Sequence, residues 1–294
     1  MAKSYTYDNP IRREDLINVI TEVSPTDTQL YTGLAKVSAS NTLHEWPTDV
    51  LNSVGDNAAV EGADATFAAR NNPTRVANIC QIITKDFDVT GTEREVDHAG
   101  FTDRYAREMS KAAREWKHDA EYALMRGSQA SGSGSGARRM KGIKNAITTN
   151  KTSQSGVSLS ENILNDLLEL TWQQGGEVDE LYVGSKLKRR ISGFTAGSTK
   201  NVDAEDKRLV NSVDIYESDF GLHKIFKHRY VTVSGDTNYD IVGIQSDKFR
   251  VAHLRSPFHE KLAKTGDSDK GMIVGELTLE YLAEKTSFLG LAYL

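Results

Sequence analysis

The stretch FTDRYAREMSKAAREWKHDAEYALMRG, residues 101–127, predicts one long helix. Apolar side chains recur in it at steps of three and four residues, which is the spacing of one helix face. Thr102 or Asp103 can cap its first turn, and Gly127 can end it. A single apolar stripe of this length indicates a helix that lies across a sheet, and we call it the spine helix. The stripe consists of Tyr105, Met109, Ala112, Ala113, Trp116, Ala120, Ala123 and Leu124.

The segment after the spine helix, GSQASGSGSGARRMKGIK (residues 127–144), combines glycine and serine with cations. A P-loop requires Lys followed by Ser or Thr where this chain has Ser133 and Gly134. The dinucleotide fingerprint requires a preceding strand, whereas a helix precedes the glycines here, and these glycines lie two residues apart. No serine stands at the centre of a G-x-S-x-G nucleophile elbow. We therefore predict neither a phosphate cradle nor a catalytic serine in this segment.

The rest of the sequence offers no constellation typical of catalysis, of a cofactor or of a metal. One cysteine among 294 residues excludes an internal disulfide and a thiolate zinc site. Asp267 and Asp269 have the spacing of a calcium loop, but Thr278 stands where the loop requires Glu, so a hairpin turn is the better interpretation. Cys80, in the run ANICQII, is predicted to be a small buried hydrophobic residue. We expect no enzymatic activity and no cofactor.

Charge and hydropathy exclude two classes of partner for the chain as a whole. The formal net charge is −5, so the protein has no overall attraction to nucleic acid, and any such contact has to come from a local patch. No apolar run approaches the roughly 20 residues of a membrane span. The first residues lack the apolar centre of a signal peptide. We therefore expect a protein without a membrane partner that is made and used in a cytosol, or that leaves the cytosol by a route that needs no signal.

Two strand-like stretches precede the spine helix, NTLHEWPTDVL (residues 41–51) and TRVANICQIITKDFDVTG (residues 74–91). Between them lies a segment rich in Ala, Gly, Asn and Asp, which predicts a long hairpin whose distal part does not pack on its own domain. The range 45–64 contains no Lys or Arg. Either it is a solvated acidic loop, or it is a projecting arm that lies on a basic surface of another subunit. Its acidic residues are Glu45, Asp49, Asp56, Glu61 and Asp64.

The pattern on both sides of this centre predicts a compact α+β domain. Near the start, Leu16 to Val23 has the spacing of a short helix, and Leu30 to Val37 continues a helical pattern that Gly33 interrupts. Ser158 and Glu161 are spaced as a capping box for a helix. Its predicted buried face is Ile163, Leu164, Leu167, Leu168 and Trp172. The remaining segments follow as ELYVGS (strand), KLKRRISGF (helix), two strands around residues 219–221, NYDIVGIQS (strand) and alternating C-terminal strands.

This order of segments resembles the major capsid proteins of tailed bacteriophages that have the Hong Kong 97-type fold. In that family a glycine-rich stretch and a Gly-Ile pair follow the spine helix, as residues 127–136 and Gly142-Ile143 do here. Three further stretches are similar to a podovirus-type branch of the family. They are NPIRREDLINVITEVSPTDTQLYTGL (residues 9–34), RLVNSVDIYESDFG (residues 208–221) and LAKTGDSDKGMIVGELTLEYLAEK (residues 262–285).

The resemblance implies a domain division and a function. Residues 1–40 would be the N-terminal arm, 41–91 the extended loop, and 92–150 a peripheral domain with the spine helix and a glycine-rich loop. Residues 151–250 would be the axial domain, and 251–294 would be strands that return to the peripheral domain. The implied function is a major capsid protein that forms pentamers and hexamers of an icosahedral phage head around double-stranded DNA. The alternative is an encapsulin-like nanocompartment shell.

The resemblance also implies partners and two departures from some relatives. The partners are the protein itself, scaffolding and portal proteins, and packaged DNA through non-specific contact, with decoration proteins left open. The implied location is the virion capsid, assembled in the host cytoplasm. No lysine lies between Lys36 and Lys85, so the extended loop cannot donate a lysine–asparagine cross-link, and the short arm favours a separate scaffolding protein. The glycine-rich loop would be a flexible turn, and its basic run would contact either another subunit or the packaged DNA.

Charge alone suggests which residues meet between subunits. We predict that the acidic residues of the extended loop contact cations on a neighbouring subunit. The candidate cations form two groups in the sequence, one after the spine helix and one in KLKRRISGF. They are Arg138, Arg139, Lys141, Lys186, Lys188, Arg189 and Arg190.

Overall fold

A computed structural model of the chain describes residues 28–52, 54–64, 67, 70–96, 103–194, 214–232 and 239–294. The helix predicted for Leu16 to Val23 and most of the N-terminal arm lie outside these ranges. The helices are α1 (Gln29–Gly33), α2 (Gly91–Glu95), α3 (Arg104–Arg126), α4 (Ile143–Ala146), α5 (Glu161–Gln173) and α6 (Ser185–Phe194). No helix in the described ranges has the length and apolarity needed to cross a membrane.

The strands form three sheets. The four-stranded sheet has the order β1 (Ala35–Ser38), β10 (Phe249–Leu262), β11 (Ser268–Tyr281) and β4 (Gln81–Thr90). The six-stranded sheet has the order β5 (Lys151–Ser153), β12 (Phe288–Tyr293), β9 (Tyr239–Ile244), β6 (Glu180–Val183), β8 (Gly221–Lys227) and β7 (Ile215–Ser218). A separate two-stranded hairpin pairs β2 (Leu43–Thr48) with β3 (Thr74–Ile79).

The spine helix is α3, and it lies across the four-stranded sheet as its single apolar stripe predicts. Asp103 caps it by accepting a hydrogen bond from the backbone N–H of Tyr105. Trp116 is buried at the contact and donates its indole N–H to the carbonyl of Ile83 on β4, at 2.8 Å. Gly275 on β11 provides the space, because a Cβ there would lie 2.5 Å from the Trp116 ring. The predicted stripe is therefore the core contact of this half of the molecule.

Two predicted elements differ from the structure in this half. The helical pattern over Leu30 to Val37 ends at Gly33, and β1 follows as an edge strand parallel to β10. The strand predicted as one run from Thr74 to Gly91 is divided at Cys80, because its first part pairs with β2 and its second part pairs with β11. Periodicity indicates a strand but does not identify the strand that pairs with it. The sequence therefore did not predict the pairing of β1 with β10 or the division at Cys80.

The six-stranded sheet has α5 and α6 packed on one face. Their buried leucines join Leu181 and Ile225 of the sheet in one apolar cluster. The N-cap of α5 is Ser160, which accepts from the backbone N–H of Ile163, so the capping box predicted at Ser158 is wrong by two residues. Trp172 was predicted to be buried, yet it is 61% exposed, because it lies in the last turn of α5.

The two large sheets contribute residues to one apolar cluster. Tyr182 and Val242 of the six-stranded sheet belong to the same apolar cluster as Trp116 and Leu277. The last strand, β12, lies in the six-stranded sheet, so the range 251–294 contributes to both sheets. The predicted division into peripheral and axial domains remains a prediction.

Candidate interaction surfaces

Among the described residues, the contacts that hold the hairpin of β2 and β3 on the body lie at its root. Trp46 donates its indole N–H to the carbonyl of Tyr281 at 2.9 Å, and the His44 ring lies 2.9 Å from the carboxylate of Glu280. Asn78 donates to the carbonyls of Lys141 and Leu279, which joins β3 to the glycine-rich loop and to β11. These buried contacts give the hairpin one direction relative to the sheet.

Between residues 49 and 67, the described part of the hairpin contains no buried side chain. Leu51 is 91% exposed, Val54 is 103% exposed and Phe67 is 97% exposed. Val50 and Val60 are also exposed. An apolar set of this size on a projecting segment is typical of a surface that another chain covers. We call residues 49–64 the acidic segment.

The acidic residues of the hairpin are exposed, and the structure separates one of them from the rest. Glu45 lies on β2 and forms an exposed ion pair with Arg75 of β3, at 3.3 Å. The other carboxylates are in the acidic segment, where Asp49 and Asp56 accept bonds only from nearby backbone N–H groups. The exposed carboxylates without a described ion pair are Asp49, Asp56, Glu61 and Asp64.

The basic residues after the spine helix lie on a closed hairpin. Gly142 donates its N–H to the carbonyl of Gly127 at 2.8 Å, and Ala130 pairs with Arg139 in an antiparallel bridge. A Cβ on Gly142 would lie 2.6 to 2.8 Å from three backbone atoms, so glycine is required there by the close approach of two chain segments. The ends of this glycine-rich loop are therefore fixed on the spine helix, whereas the sequence predicts a flexible turn.

The three cations of this loop have different surroundings. Arg138 donates to the buried carboxylate of Glu276 at 2.6 Å. The ammonium of Lys141 lies 5.9 Å from the centre of the Tyr281 ring. Arg139 is exposed, and no described carboxylate lies within 4.0 Å of it. The structure thus brings Arg138 into an intrachain ion pair and leaves Arg139 on the surface.

The second basic group lies on α6 and divides in the same way. Lys188 is buried, with its ammonium 3.1 Å from Asp214 and 3.3 Å from the carbonyl of Ile225. Lys186 and Arg189 are exposed and Arg190 is half-buried. Lys188 therefore has an intrachain role, and the other three cations of the helix face outward.

Glu121 is a buried residue that connects parts of the fold, and the sequence did not indicate this role. It is fully buried on the spine helix and accepts bonds from the backbone N–H groups of Leu30 and Tyr31, at 2.8 and 2.7 Å. Its Oε1 also lies 2.8 Å from Nε2 of His228. One carboxylate therefore caps α1 and joins the end of the arm to both sheets. The available signal was its position beside Ala120 on the apolar stripe.

The described ranges contain no group of three or more His, Cys, Asp or Glu side chains placed to hold a metal ion. Cys80 is buried, as predicted, and burial raises the pKa of its thiol to about 11. A thiol with that pKa is protonated at neutral pH and is a poor nucleophile. What the molecule presents outward is a set of charged and apolar surfaces.

A family comparison agrees with this arrangement of a shared core and a projecting hairpin. The sequence model of the SU10 major capsid protein family matches residues 2–290. The chain belongs to this family. The matched range spans the arm, the hairpin, the spine helix and both sheets. The family assignment therefore covers nearly all of this SU10-type chain.

The individual relatives are distant in sequence and similar in extent. The major capsid protein of Escherichia phage Phieco32 is 23% identical, and the match covers 94% of this chain and 93% of that protein. The capsid asymmetric unit of cyanophage A-1(L) has a TM-score of 0.70 at 12% identity and covers 96% of both chains. A structure from Mycobacterium phage Adephagia has a TM-score of 0.67 at 10% identity, covering 100% of this chain and 98% of that one.

These likenesses confirm the α+β, Hong Kong 97-type fold that the sequence predicts. The SrpI encapsulin of Synechococcus elongatus PCC 7942 has the same fold, with a TM-score of 0.61 at 9% identity over 100% of this chain and 96% of that one. That likeness is one of fold alone. The family model decides between the two shell proteins that were predicted, and this SU10-type chain is a major capsid protein. The podovirus-type branch stays a prediction.

Proposed function

We propose that this chain is the shell-forming subunit of a phage head. It assembles as pentamers and hexamers of an icosahedral capsid around double-stranded DNA. In this proposal it has no catalytic role. Scaffolding and portal proteins are its proposed partners, and the host cytoplasm is the proposed site of assembly. The observation that supports the proposal is the acidic segment with its neighbouring Phe67, because the large apolar side chains described there are exposed. Such a segment is stabilised by a partner copy.

The experiment is assembly of the purified protein together with the scaffolding protein of its phage. Electron microscopy and analytical ultracentrifugation should show closed shells for the wild type. A variant in which residues 49–73 are replaced by a short Gly-Ser turn should remain a folded monomer and form no shells. Monomers alone from the wild type, or normal shells from the shortened variant, would contradict the proposal. Shells filled with protein cargo instead of DNA in infected cells would favour the nanocompartment alternative.

The cation that we propose as the counterpart of the acidic segment is Arg139, with Lys141 beside it. Arg139 is exposed on a hairpin whose ends are fixed, and it has no described carboxylate partner within its own chain. Lys141 lies next to the root of the same projecting hairpin through its bonds with Asn78. Opposite charges on rigid neighbouring surfaces set register and speed of association more than they set affinity.

A charge swap tests this pairing. The triple variant D56K/E61K/D64K should lower shell yield by about tenfold or more, because like charges then face each other across the contact. Adding R139E/K141E to the same chain should restore most of the yield. Rescue by K186E/R189E/R190E instead would assign the counterpart to α6, and unchanged assembly of the triple variant would remove the acidic segment from the interface.

A further inference from the structure

The outward face of α6 is a stripe of cations on an ordered helix. Lys186, Arg189, Arg190 and Gly193 follow one another at the spacing of a single helix face. The opposite face is buried and includes Leu187 and Ile191. Because the apolar face fixes the rotation of the helix, the three cations are held outward together, over roughly 6 Å of helix axis at 1.5 Å per residue.

The charges on this stripe are not compensated by carboxylates of the described chain. The Lys186 ammonium lies 4.7 Å from the centre of the neutral Tyr239 ring, and Arg190 donates to the hydroxyl of Ser158. Within the described ranges, no carboxylate lies within 4.0 Å of the cationic nitrogens of Lys186, Arg189 or Arg190. Lys188, one residue before Arg189, is by contrast paired with Asp214. The uncompensated charge is thus confined to the outer face.

The recess beside the stripe is open and is lined mainly by Lys, Arg and Ser side chains. Lys227 of β8 lines the same recess, together with the hydroxyl-bearing Ser185 and Ser192. A Cβ added to Gly193 would meet nothing within 4 Å. No large apolar side chain of α6 is among the strongly exposed ones of the described chain. A partner of this recess therefore has to supply anionic oxygens, and it gains little from apolar side chains.

This chemistry distinguishes between two anionic partners. The acidic segment of a neighbouring copy carries exposed Leu51, Val54 and Val60 beside its carboxylates, and among the described residues α6 presents no large, strongly exposed apolar side chain to cover them. A nucleic-acid backbone presents closely spaced phosphates without apolar side chains, and Lys, Arg and hydroxyl groups are the side chains that bind it. The overall charge of −5 gives the chain no general attraction to nucleic acid, so contact requires a local basic patch, and the outer face of α6 is one.

We infer that the outer face of α6, with Lys227, binds the phosphate backbone of nucleic acid. This binding has no sequence preference. The inference rests on the proposed function for its ligand, because DNA packaged in a shell would be the source of the phosphates. In this inference Lys186, Arg189 and Arg190 contact the DNA inside the shell, whereas Arg139 contacts the neighbouring subunit.

The test is fluorescence anisotropy of a labelled 20-base-pair duplex of random sequence with the purified protein, over a series of salt concentrations. The variant K186Q/R189Q/R190Q should bind at least about tenfold more weakly, and its log–log salt slope should fall by about 0.9 for each phosphate contact that is lost. The matched control K111Q/R114Q/K117Q removes three cations from the exposed face of the spine helix. It should change affinity less than about twofold. Circular dichroism and thermal melting establish that both variants are folded.

Three results would overturn the inference. They are no binding of the duplex by the wild type at low salt, equal losses in the α6 variant and the control, and a salt slope unchanged in the α6 variant. A defect of the α6 variant in assembly rather than in DNA binding would assign the stripe to the neighbouring acidic segment. Shell formation by the wild type is measured separately, so the proposed function can fail or stand independently of this result.

Discussion

The spine helix and the acidic segment belong to one chain but differ in how their apolar side chains are covered. Along α3, side chains such as Trp116 and Leu124 are buried against the four-stranded sheet, and the polar groups among them are satisfied within the chain. In the acidic segment Leu51 and Val54 are almost fully exposed. The chain folds on the first region, and we propose that it associates through the second. Substitutions should therefore affect folding in one region and assembly in the other.

The largest effect on stability is expected at Trp116. W116A removes a buried indole and its bond to the Ile83 carbonyl, and it should lower the free energy of unfolding by about 3–5 kcal/mol. F67A, in the hairpin, should change it by less than about 0.5 kcal/mol and should reduce shell yield instead. Urea denaturation of the monomers and sedimentation of assembly reactions check both. Comparable destabilisation by the two substitutions would break the comparison.

A smaller loss is expected when the charge of Glu121 is removed. E121Q places an amide N–H₂ against one of the backbone N–H groups of Leu30 and Tyr31, which both need an acceptor. It should cost about 1.5–3 kcal/mol in urea denaturation. E61Q is the matched control in the acidic segment, and its monomer should unfold at the wild-type urea concentration. A wild-type midpoint for E121Q would show that the carboxylate does not hold α1 on the spine helix.

The glycine at the end of the glycine-rich loop should be intolerant of a methyl group. G142A places a Cβ within 2.8 Å of backbone atoms of residues 123, 124 and 127, and we expect a loss of about 1–3 kcal/mol. Gly55 in the acidic segment has no atom within 4 Å of an added Cβ, so G55A should leave unfolding unchanged. Thermal melts of both variants decide the matter. A neutral G142A would mean that the loop ends are less closely held.

The prediction with the smallest effect on stability concerns the accessibility of the Cys80 thiol. Burial keeps the pKa of the Cys80 thiol at about 11, so little thiolate is present at pH 8, and Ellman's reagent should react at least about a hundredfold more slowly than with an unfolded control. V54C in a C80S background places the thiol in the acidic segment, where it should react at the rate of a free thiol. Fast reaction of native Cys80 would contradict the burial of this strand junction.

Sequence reasoning identified the local features of the core and missed its long-range contacts. The spine helix follows from a period of three and four residues, and the strands of the C-terminal half follow from alternation. The division at Cys80 could not be predicted, because it depends on which strand pairs with each half of the run. Trp172 satisfies the same period as the buried leucines of α5 but lies in the last turn of the helix, where it is exposed.

The candidate surfaces show the same limit. The acidic residues were recognisable because the segment lacks both cations and core-forming side chains. The cations were recognisable only as a set, since the pairing of Arg138 with Glu276 and of Lys188 with Asp214 joins residues far apart in sequence. Glu121 was missed because a charged residue beside an apolar stripe is usually solvated. Its burial depends on the N-terminus of α1, which lies 91 residues away.

The most direct test of the central claim is hydrogen–deuterium exchange of the isolated monomer and of assembled shells. Peptides from the spine helix should be strongly protected in both states, because their stability comes from the chain itself. Peptides covering residues 49–64 should exchange freely in the monomer and become protected in shells. Equal protection of residues 49–64 in the two states, or free exchange of these residues in shells, would contradict the account.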